Sequence, residues 1–250
     1  MPLRPWSPIP IRDNGEPLQE LPPALLRLEP HPYASLGAPY GACSGPFRLR
    51  RGVIERLLQA QASLRQERGD WRLAIFDAWR PLAVQRFMVR HAFVQECRRR
   101  GLHPDLTGAG QREVEELVGR FWAPPSVDPA TPPPHSTGGA VDLTLADREG
   151  RPLAMGGEID DLGPISEPHH HAAAAAERPD SQEAQWHGRR RLLAHCLEAA
   201  GFAQHPNEWW HFSHGDQLWA WRSGQPEARY GRCPEGGEAD DGGPAAGSAS

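Results

Sequence analysis

Proline is the residue that most restricts how this chain can fold. The 250 residues include 27 prolines and 26 glycines, and each proline fixes φ and removes a backbone donor, which interrupts helices and the middle of sheets. Many irregular connections are therefore expected, and they favour a loop-rich α+β domain over a helical bundle. Prolines are dense in residues 123–134, and we interpret this segment as a stiff loop that leads directly into His135.

The composition excludes several classes of protein. Hydrophobic residues make up 38% and charged residues 24% of the chain, and the formal net charge is -5. A folded core is therefore possible, and the absence of a long basic run argues against a nucleic-acid partner. No apolar run approaches the ~18 residues of a membrane span, and the first residues lack the apolar core of a signal peptide. We expect a cytoplasmic protein without a membrane span; the sequence does not indicate its oligomeric state.

Periodicity predicts the main elements. Helices are expected at about 53–67, 81–99, 111–121 and 181–200, and strands at 71–76 and 141–145. Two more short strands, near 208–213 and 217–221, are expected to form a hairpin through Gly215 and Asp216, whereas residues 146–180 read as loop. Residues 1–29 are interpreted as an extended arm, 30–232 as one folded domain and 233–250 as a disordered tail. Cys97 and Cys196 are expected to be free thiols.

Two stretches that lie far apart in the chain together predict a catalytic zinc site. The first runs from His135 to Asp142 and the second is Glu208-Trp-Trp-His211. They offer two imidazoles and a carboxylate as ligands, with a second carboxylate beside them. Hydrolytic zinc sites commonly use three protein ligands, leave a fourth position for water and need a nearby base. Taken alone, each stretch also fits an ordinary loop, strand or aromatic core.

The spacing of Glu208 and His211 makes a geometric demand. Residues three apart on an ideal strand point to opposite faces. For both side chains to reach one site, Glu208 must lie in the loop before the strand, or a β-bulge must intervene. A wall formed by Trp209 or Trp210 would raise the pKa of the Glu208 carboxyl towards that of a proton shuttle.

Arg80 follows one predicted strand and precedes the helix that begins at Pro81. A guanidinium in that place could stabilise an oxyanion without titrating; a salt bridge with Asp77 is the alternative. The consecutive residues His169–His171 are interpreted as a solvated loop, because adjacent histidines cannot easily face one metal ion.

Together these motifs resemble a known family. The pattern His135-x6-Asp142 and Glu208-x-x-His211, with Arg80-Pro81 upstream, resembles the zinc D-alanyl-D-alanine dipeptidases of the VanX type, in peptidase family M15. The similarity spans roughly residues 30–222 in matching order. It implies an α+β fold shared with D,D-peptidases and the Hedgehog domain, in which helices flank a central antiparallel sheet. The resemblance also implies one zinc ion per chain held by His135, Asp142 and His211, with Glu208 as general base and then acid, and Arg80 stabilising the transition state.

The resemblance implies a small D-amino-acid dipeptide, D-alanyl-D-alanine, as substrate. The chain departs from the family at Pro133, where the family has a serine thought to hold substrate, and at Trp79, where the family has tyrosine. Substrate contacts are expected from Asp160, Asp161 and Ser136. Two other functions remain open: a D,D-carboxypeptidase acting on longer peptidoglycan peptides, and a non-catalytic zinc-binding module, against which the presence of both Glu208 and Arg80 argues.

Overall fold

The computed structural model describes residues 4–41 and 45–234. Cys43 and residues 235–250, which hold most of the predicted tail, lie outside the described residues. The strands are β1 (Leu18–Glu20), β2 (Leu26–Arg27), β3 (Arg48–Arg50), β4 (Arg72–Asp77), β5 (Ala140–Ala146), β6 (Ala203–Gln204) and β7 (His211–Ser213). The helices are α1 (Pro32–Ser35), α2 (Arg51–Glu67), α3 (Leu82–Arg99), α4 (Ala109–Phe121), α5 (Ala172–Glu177), α6 (Gln182–Ala199) and α7 (Gln217–Arg222).

A five-stranded sheet with the order β2-β4-β5-β7-β6 forms the centre of the molecule. Its pairs β4–β5, β5–β7 and β6–β7 are antiparallel, whereas the short edge strand β2 runs parallel to β4. The predicted α+β class with a central, mainly antiparallel sheet is confirmed. The strands β1 and β3 form a separate antiparallel pair.

The two faces of the sheet pack against different groups of helices. Side chains that alternate along β4 and β5, including Leu73 and Leu143, form one core with apolar residues of α2 and α6. Phe76 points the other way and packs with a second cluster contributed by α3 and α4. Because successive side chains on a strand alternate between faces, Asp142 lies on the face opposite Leu143. A polar site is thus placed on the α3/α4 side of the sheet.

The predicted helices and the two longer strands are all present, with ends shifted by a few residues. The predicted hairpin is wrong: residues 217–222 form helix α7, and β7 pairs instead with β5 and β6. The physical reason is Asp216, whose Oδ1 accepts a hydrogen bond from the Trp219 amide at 2.8 Å and so caps a helix. Gly215, at φ 79°, supplies the turn before the cap.

The segment 146–180 is less irregular than predicted. Its alanine run forms α5, six residues long, because alanine has the highest intrinsic helix propensity. Cys97 and Cys196 are buried free thiols, as predicted. Among the described residues, no helix combines the length and apolar character needed to cross a bilayer.

Candidate metal centre

Three side chains from two strands and a turn meet on the polar face of the sheet. Asp142 of β5 and His211 of β7 are direct partners in the antiparallel register, so their side chains emerge side by side. His135 lies in a 3₁₀ turn, Pro134–Thr137, that precedes β5. Gly138 ends this turn at φ 70°, a left-handed conformation that glycine adopts without strain, and the chain then returns into β5.

The distances between the three donor atoms fit a tetrahedral metal ion. His135 Nε2 lies 3.2 Å from His211 Nδ1, and the Asp142 carboxylate approaches both, with Oδ2 3.2 Å from His135 Nε2 and Oδ1 3.0 Å from His211 Nδ1. Zinc bonds of about 2.0–2.1 Å in a tetrahedron place ligand atoms ~3.3 Å apart. No other group of metal-ligating side chains with this geometry was found among the described residues.

The outer nitrogen of each imidazole has its own acceptor. His135 Nδ1 lies 2.7 Å from the carbonyl oxygen of Ala78. His211 Nε2 lies 3.2 Å from Ser213 Oγ, which in turn donates to Asp216 at 2.8 Å. These acceptors place the protons on the outer nitrogens, so that two lone pairs and a carboxylate face one another. A cation between them is the arrangement that stabilises this donor set.

The electrostatics of Asp142 favour an anionic ligand. Burial raises the pKa of this carboxyl, but the neighbouring His135 and His211 outweigh burial, and the net pKa lies well below its ordinary value. Asp142 is therefore ionised and able to act as a ligand at neutral pH.

Glu208 lies in the loop before β7, which is one of the two placements that the sequence spacing allows. Its Oε2 is 3.7 Å from His211 Nδ1, while its Oε1 is buried and has no hydrogen-bond partner within the described parts of the chain. Burial, and then the charge of Asp142, raise the pKa of Glu208 well above its ordinary value. A buried carboxyl that makes no hydrogen bond through one oxygen and has a raised pKa is suited, beside a candidate metal site, to take up and return a proton.

Arg80 makes the predicted salt bridge and also faces the pocket. Its Nε and Nη2 donate to Asp77 Oδ2 at 2.9 and 2.7 Å, and Nη2 lies 3.3 Å from Asp142 Oδ2. The guanidinium carbon is 5.1 Å from the ring centroid of Tyr33 and 5.0 Å from that of Trp122. Burial lowers the pKa of Arg80, but the Asp77 carboxylate outweighs it and the net pKa is raised. The two interpretations of Arg80 therefore do not exclude each other.

The three predicted substrate residues have different surroundings. Asp160 lines the pocket, accepts a hydrogen bond from Tyr33 Oη at 2.8 Å, and has its pKa raised to about 7 by burial and by the charge of Asp142. Asp161 instead accepts from the Glu158 amide at 2.7 Å within a turn. Ser136 is buried and donates to a backbone carbonyl oxygen, that of Pro133. Only Asp160 of the three is among the pocket-lining residues.

A cavity of about 360 Å³ opens onto the metal centre. Its walls include residues that the sequence interpretation missed, above all His205, Arg4 and Trp6. His205 Nδ1 is 3.4 Å from Glu208 Oε1, and its pKa is lowered well below the ordinary value, first by burial and then by the charge of His211. The repeated three-residue spacing of His205, Glu208 and His211 was the available signal; the sequence near Arg4 carries none.

The histidine run lies away from this cavity, and one part of its interpretation is wrong. His169 and His170 are exposed, as predicted, whereas His171 is buried. The reason is local packing: His171 Nε2 lies 2.8 Å from the carbonyl oxygen of Gly156, and its ring lies 5.1 Å from that of Trp186.

Comparison with known proteins identifies the relatives of this chain. The peptidase M15 family model, described as D-ala-D-ala dipeptidase, matches residues 27–227. The D-alanyl-D-alanine dipeptidase of Synechocystis sp. is 46% identical over 228 residues, which cover 90% of this chain and 92% of that protein. The Escherichia coli protein of the same name is 34% identical over 140 residues, covering 56% of this chain and 53% of the relative. The Streptomyces coelicolor protein of that name is 40% identical over 80 residues, covering 32% and 35%.

Proposed function

This chain belongs to the D-ala-D-ala dipeptidase family of M15 peptidases, and on that premise we propose that it is a zinc-dependent dipeptidase that hydrolyses D-alanyl-D-alanine to two D-alanines. The observation that carries the proposal is a juxtaposition within one cavity. The unpartnered Oε1 of Glu208 lies beside the metal-ligating group of His135, Asp142 and His211. A ligand set alone would suit a structural ion, but a buried proton acceptor next to it serves hydrolysis.

Zinc is the metal that we propose for this site. Two imidazoles and one carboxylate are a ligand set typical of catalytic zinc, which keeps a further position open for water or substrate. When bound, zinc would polarise the scissile carbonyl and lower the pKa of water to about 7. The outer hydrogen bonds, from His135 to Ala78 and from His211 to Ser213, hold the imidazoles in the required tautomers.

We assign the proton transfers to Glu208. Its Oε1 is free to accept a proton from the attacking water, and the same carboxyl then returns a proton to the leaving amine. The raised pKa suits this double role, because a carboxylate that is too weak a base would not take the proton from water or hold it until the leaving amine accepts it. Trp210 lines the cavity beside Glu208 and limits the access of bulk water.

Arg80 and Asp160 are assigned to charge stabilisation at the substrate. Arg80 is fixed by Asp77 and by two aromatic rings, so its guanidinium can meet a developing oxyanion without reorganisation. Asp160 offers a partly buried carboxyl at the wall of the cavity, where it can bind the ammonium group of a dipeptide. Of the two adjacent aspartates, Asp160 is the one we propose, because Asp161 is engaged in a turn.

An amino-acid release assay with metal analysis on the same sample tests the proposal. The substrates are D-Ala-D-Ala, L-Ala-L-Ala, D-Ala-D-lactate and a peptidoglycan pentapeptide. We expect one zinc ion per chain and the fastest release from D-Ala-D-Ala. Faster release from the pentapeptide would make the protein a D,D-carboxypeptidase, and faster release from L-Ala-L-Ala would overturn the stereochemistry. Bound zinc without any hydrolysis would identify a non-catalytic module.

A further inference from the structure

The N-terminal segment, residues 4–9, forms one wall of the catalytic cavity. Arg4, Trp6 and Ser7 all line the cavity. The Trp6 ring is buried and lies edge-on to His205, with 5.6 Å between the ring centroids. The side-chain amide of Gln217 donates to the carbonyl oxygen of Ser7 at 3.1 Å and to that of Ile9 at 2.6 Å. These contacts hold the segment in place in the wall of the cavity that Glu208 also lines.

Arg4 is oriented by the carboxyl end of helix α4. Its Nη2 donates to the carbonyl oxygens of Gly119 at 2.7 Å and Trp122 at 3.3 Å, and its Nη1 donates to that of Arg120 at 3.0 Å. A cation is favoured at a helix C-terminus, where the backbone carbonyls carry partial negative charge. A guanidinium has five N–H donors, and three of them make these bonds. The Nε–H and one Nη1–H remain without an acceptor from the described residues.

The wall of the cavity carries side chains of both charges, among them Asp160 and Arg4. Asp160 is hydrogen-bonded to Tyr33, and its pKa responds to burial and then to Asp142 and Arg80. Burial lowers the pKa of Arg4, and the charge of Glu208 opposes part of this lowering. A free dipeptide likewise carries an ammonium at one end and a carboxylate at the other.

Arg80 is the other arginine among the described residues that line the cavity. We assign Arg80 to the developing oxyanion, and its guanidinium already makes three hydrogen bonds to the carboxylates of Asp77 and Asp142. Pro133, also in the wall, has neither a hydroxyl nor a backbone N–H to donate. Arg4 keeps its charge and its free donors, and planar guanidinium is well matched to a carboxylate.

We propose that Arg4 binds the α-carboxylate of the second residue of the substrate and makes a free C-terminus a requirement of this enzyme. Arg4 lines the same cavity as Glu208, which we assign to protonating the leaving amine, and the leaving amine and the α-carboxylate belong to the same residue. This inference rests on the proposed dipeptidase function. On this proposal Arg4, which is distant in sequence, determines substrate specificity at a site built from residues 80–211.

The test compares D-Ala-D-Ala with its C-terminal amide, D-alanyl-D-alaninamide, in wild type, Arg4→Gln and Arg12→Gln. We expect the wild type to prefer the free acid. Arg4→Gln should lower kcat/KM for the acid about 10- to 100-fold, chiefly through KM, because a charge-assisted hydrogen bond is lost, and should leave the amide nearly unchanged. Arg12, three positions beyond the segment, is exposed and does not line the cavity, so Arg12→Gln removes the same charge and should keep both values.

The ratio of kcat/KM for acid and amide decides the outcome, since it does not depend on the fraction of folded enzyme. An unchanged ratio in Arg4→Gln would overturn the inference, whether both values fall equally or neither falls. An equal fall would mean that Arg4 only holds the segment against α4. A wild type that cleaves the amide as well as the acid would also overturn it. Arg4→Lys, which keeps the charge, should recover part of the preference for the acid. A wild type that cleaves neither substrate would instead contradict the dipeptidase function itself.

Discussion

Two groups of histidines in this chain behave in opposite ways. His135 and His211 lie 76 positions apart, yet their ring nitrogens approach to 3.2 Å beside Asp142. His169–His171 are consecutive, yet only His171 is buried and none of the three lines the cavity. Closeness in sequence is therefore no guide to a shared ligand, whereas strand register is, because antiparallel partners project side chains to the same face.

The surroundings of the two groups explain the difference. In the proposed metal-ligating group, the outer nitrogens are held by Ala78 and Ser213, so the inner nitrogens of His135 and His211 point towards each other. In the consecutive group, His171 is turned towards the Gly156 carbonyl, and His169 lies against the His187 ring with 6.4 Å between centroids. Orientation by fixed acceptors converts histidines into a site, and the following experiments test this contrast.

The largest effect is expected from His211→Ala. Removal of one of the three proposed ligands should abolish both metal retention and turnover, because the two that remain would hold the ion weakly. Elemental analysis after dialysis measures the metal, and the exposed His170→Ala is the matched control, which should keep both. Full metal content in His211→Ala would remove His211 from the ligand set.

Glu208→Gln should separate binding from chemistry. The side chain keeps its size but can no longer accept a proton, so we expect metal content to be retained and kcat to fall at least ~10²-fold. Glu227→Gln, at an exposed glutamate, is the control and should leave kcat unchanged. Near-normal turnover in Glu208→Gln with the metal in place would mean that another group is the base.

Arg80→Lys keeps the charge and loses the planar set of donors. If Arg80 meets the developing oxyanion, kcat should fall about 10²-fold with little change in KM, because only the transition state loses an interaction. Steady-state kinetics on D-Ala-D-Ala measures the two constants. A rise in KM alone would make Arg80 a clamp for bound substrate.

A smaller effect is expected from Ser213→Ala. This change removes the acceptor of His211 Nε2 and leaves the three ligands intact. Loss of such an outer hydrogen bond typically weakens metal affinity about 10- to 100-fold, so activity should return at saturating zinc. Competition with a chelator gives the affinity; an unchanged value would mean that Ser213 does not orient the ring.

Replacement of His169, His170 and His171 together by serine should have the smallest effect. We expect the metal to stay bound and activity to remain within about 2-fold, with a loss of stability of ~1 kcal/mol from the His171 hydrogen bond. Thermal unfolding and metal analysis measure both. Loss of metal and activity together would mean that His169–His171 supply part of the site, and the two groups of histidines would then not differ in function.

Much of the fold follows from local patterns. The apolar spacing in residues 53–67 matches α2, and the alternation after Trp71 matches β4, because each pattern reflects burial of one face. The same logic failed at residues 217–222, where a capping aspartate outweighed the aromatic alternation. Local cap chemistry and strand propensity compete there, and apolar alternation over a few residues does not decide between them.

The candidate site divides in a similar way. The residue types and order of His135, Asp142, Glu208 and His211 are legible in the sequence, because metal coordination restricts which side chains can serve and at what spacing. The choice of Asp160 over Asp161 cannot be read from the sequence, because it depends on which carboxyl contacts Tyr33 and which one closes a turn.

By itself the sequence determined the family, the mainly antiparallel α+β architecture and the set of chemical groups available for hydrolysis. Only the tertiary structure decided which remote segments share the cavity: it places Arg4 and Trp6 beside a glutamate some 200 positions away. The physical reason is that strands, helices and ligand motifs produce regular spacings between residues that are close in sequence. The packing of an irregular, proline-rich segment depends instead on single long-range contacts, such as those of Arg4 with α4 and of Gln217 with Ser7, which leave no periodic trace.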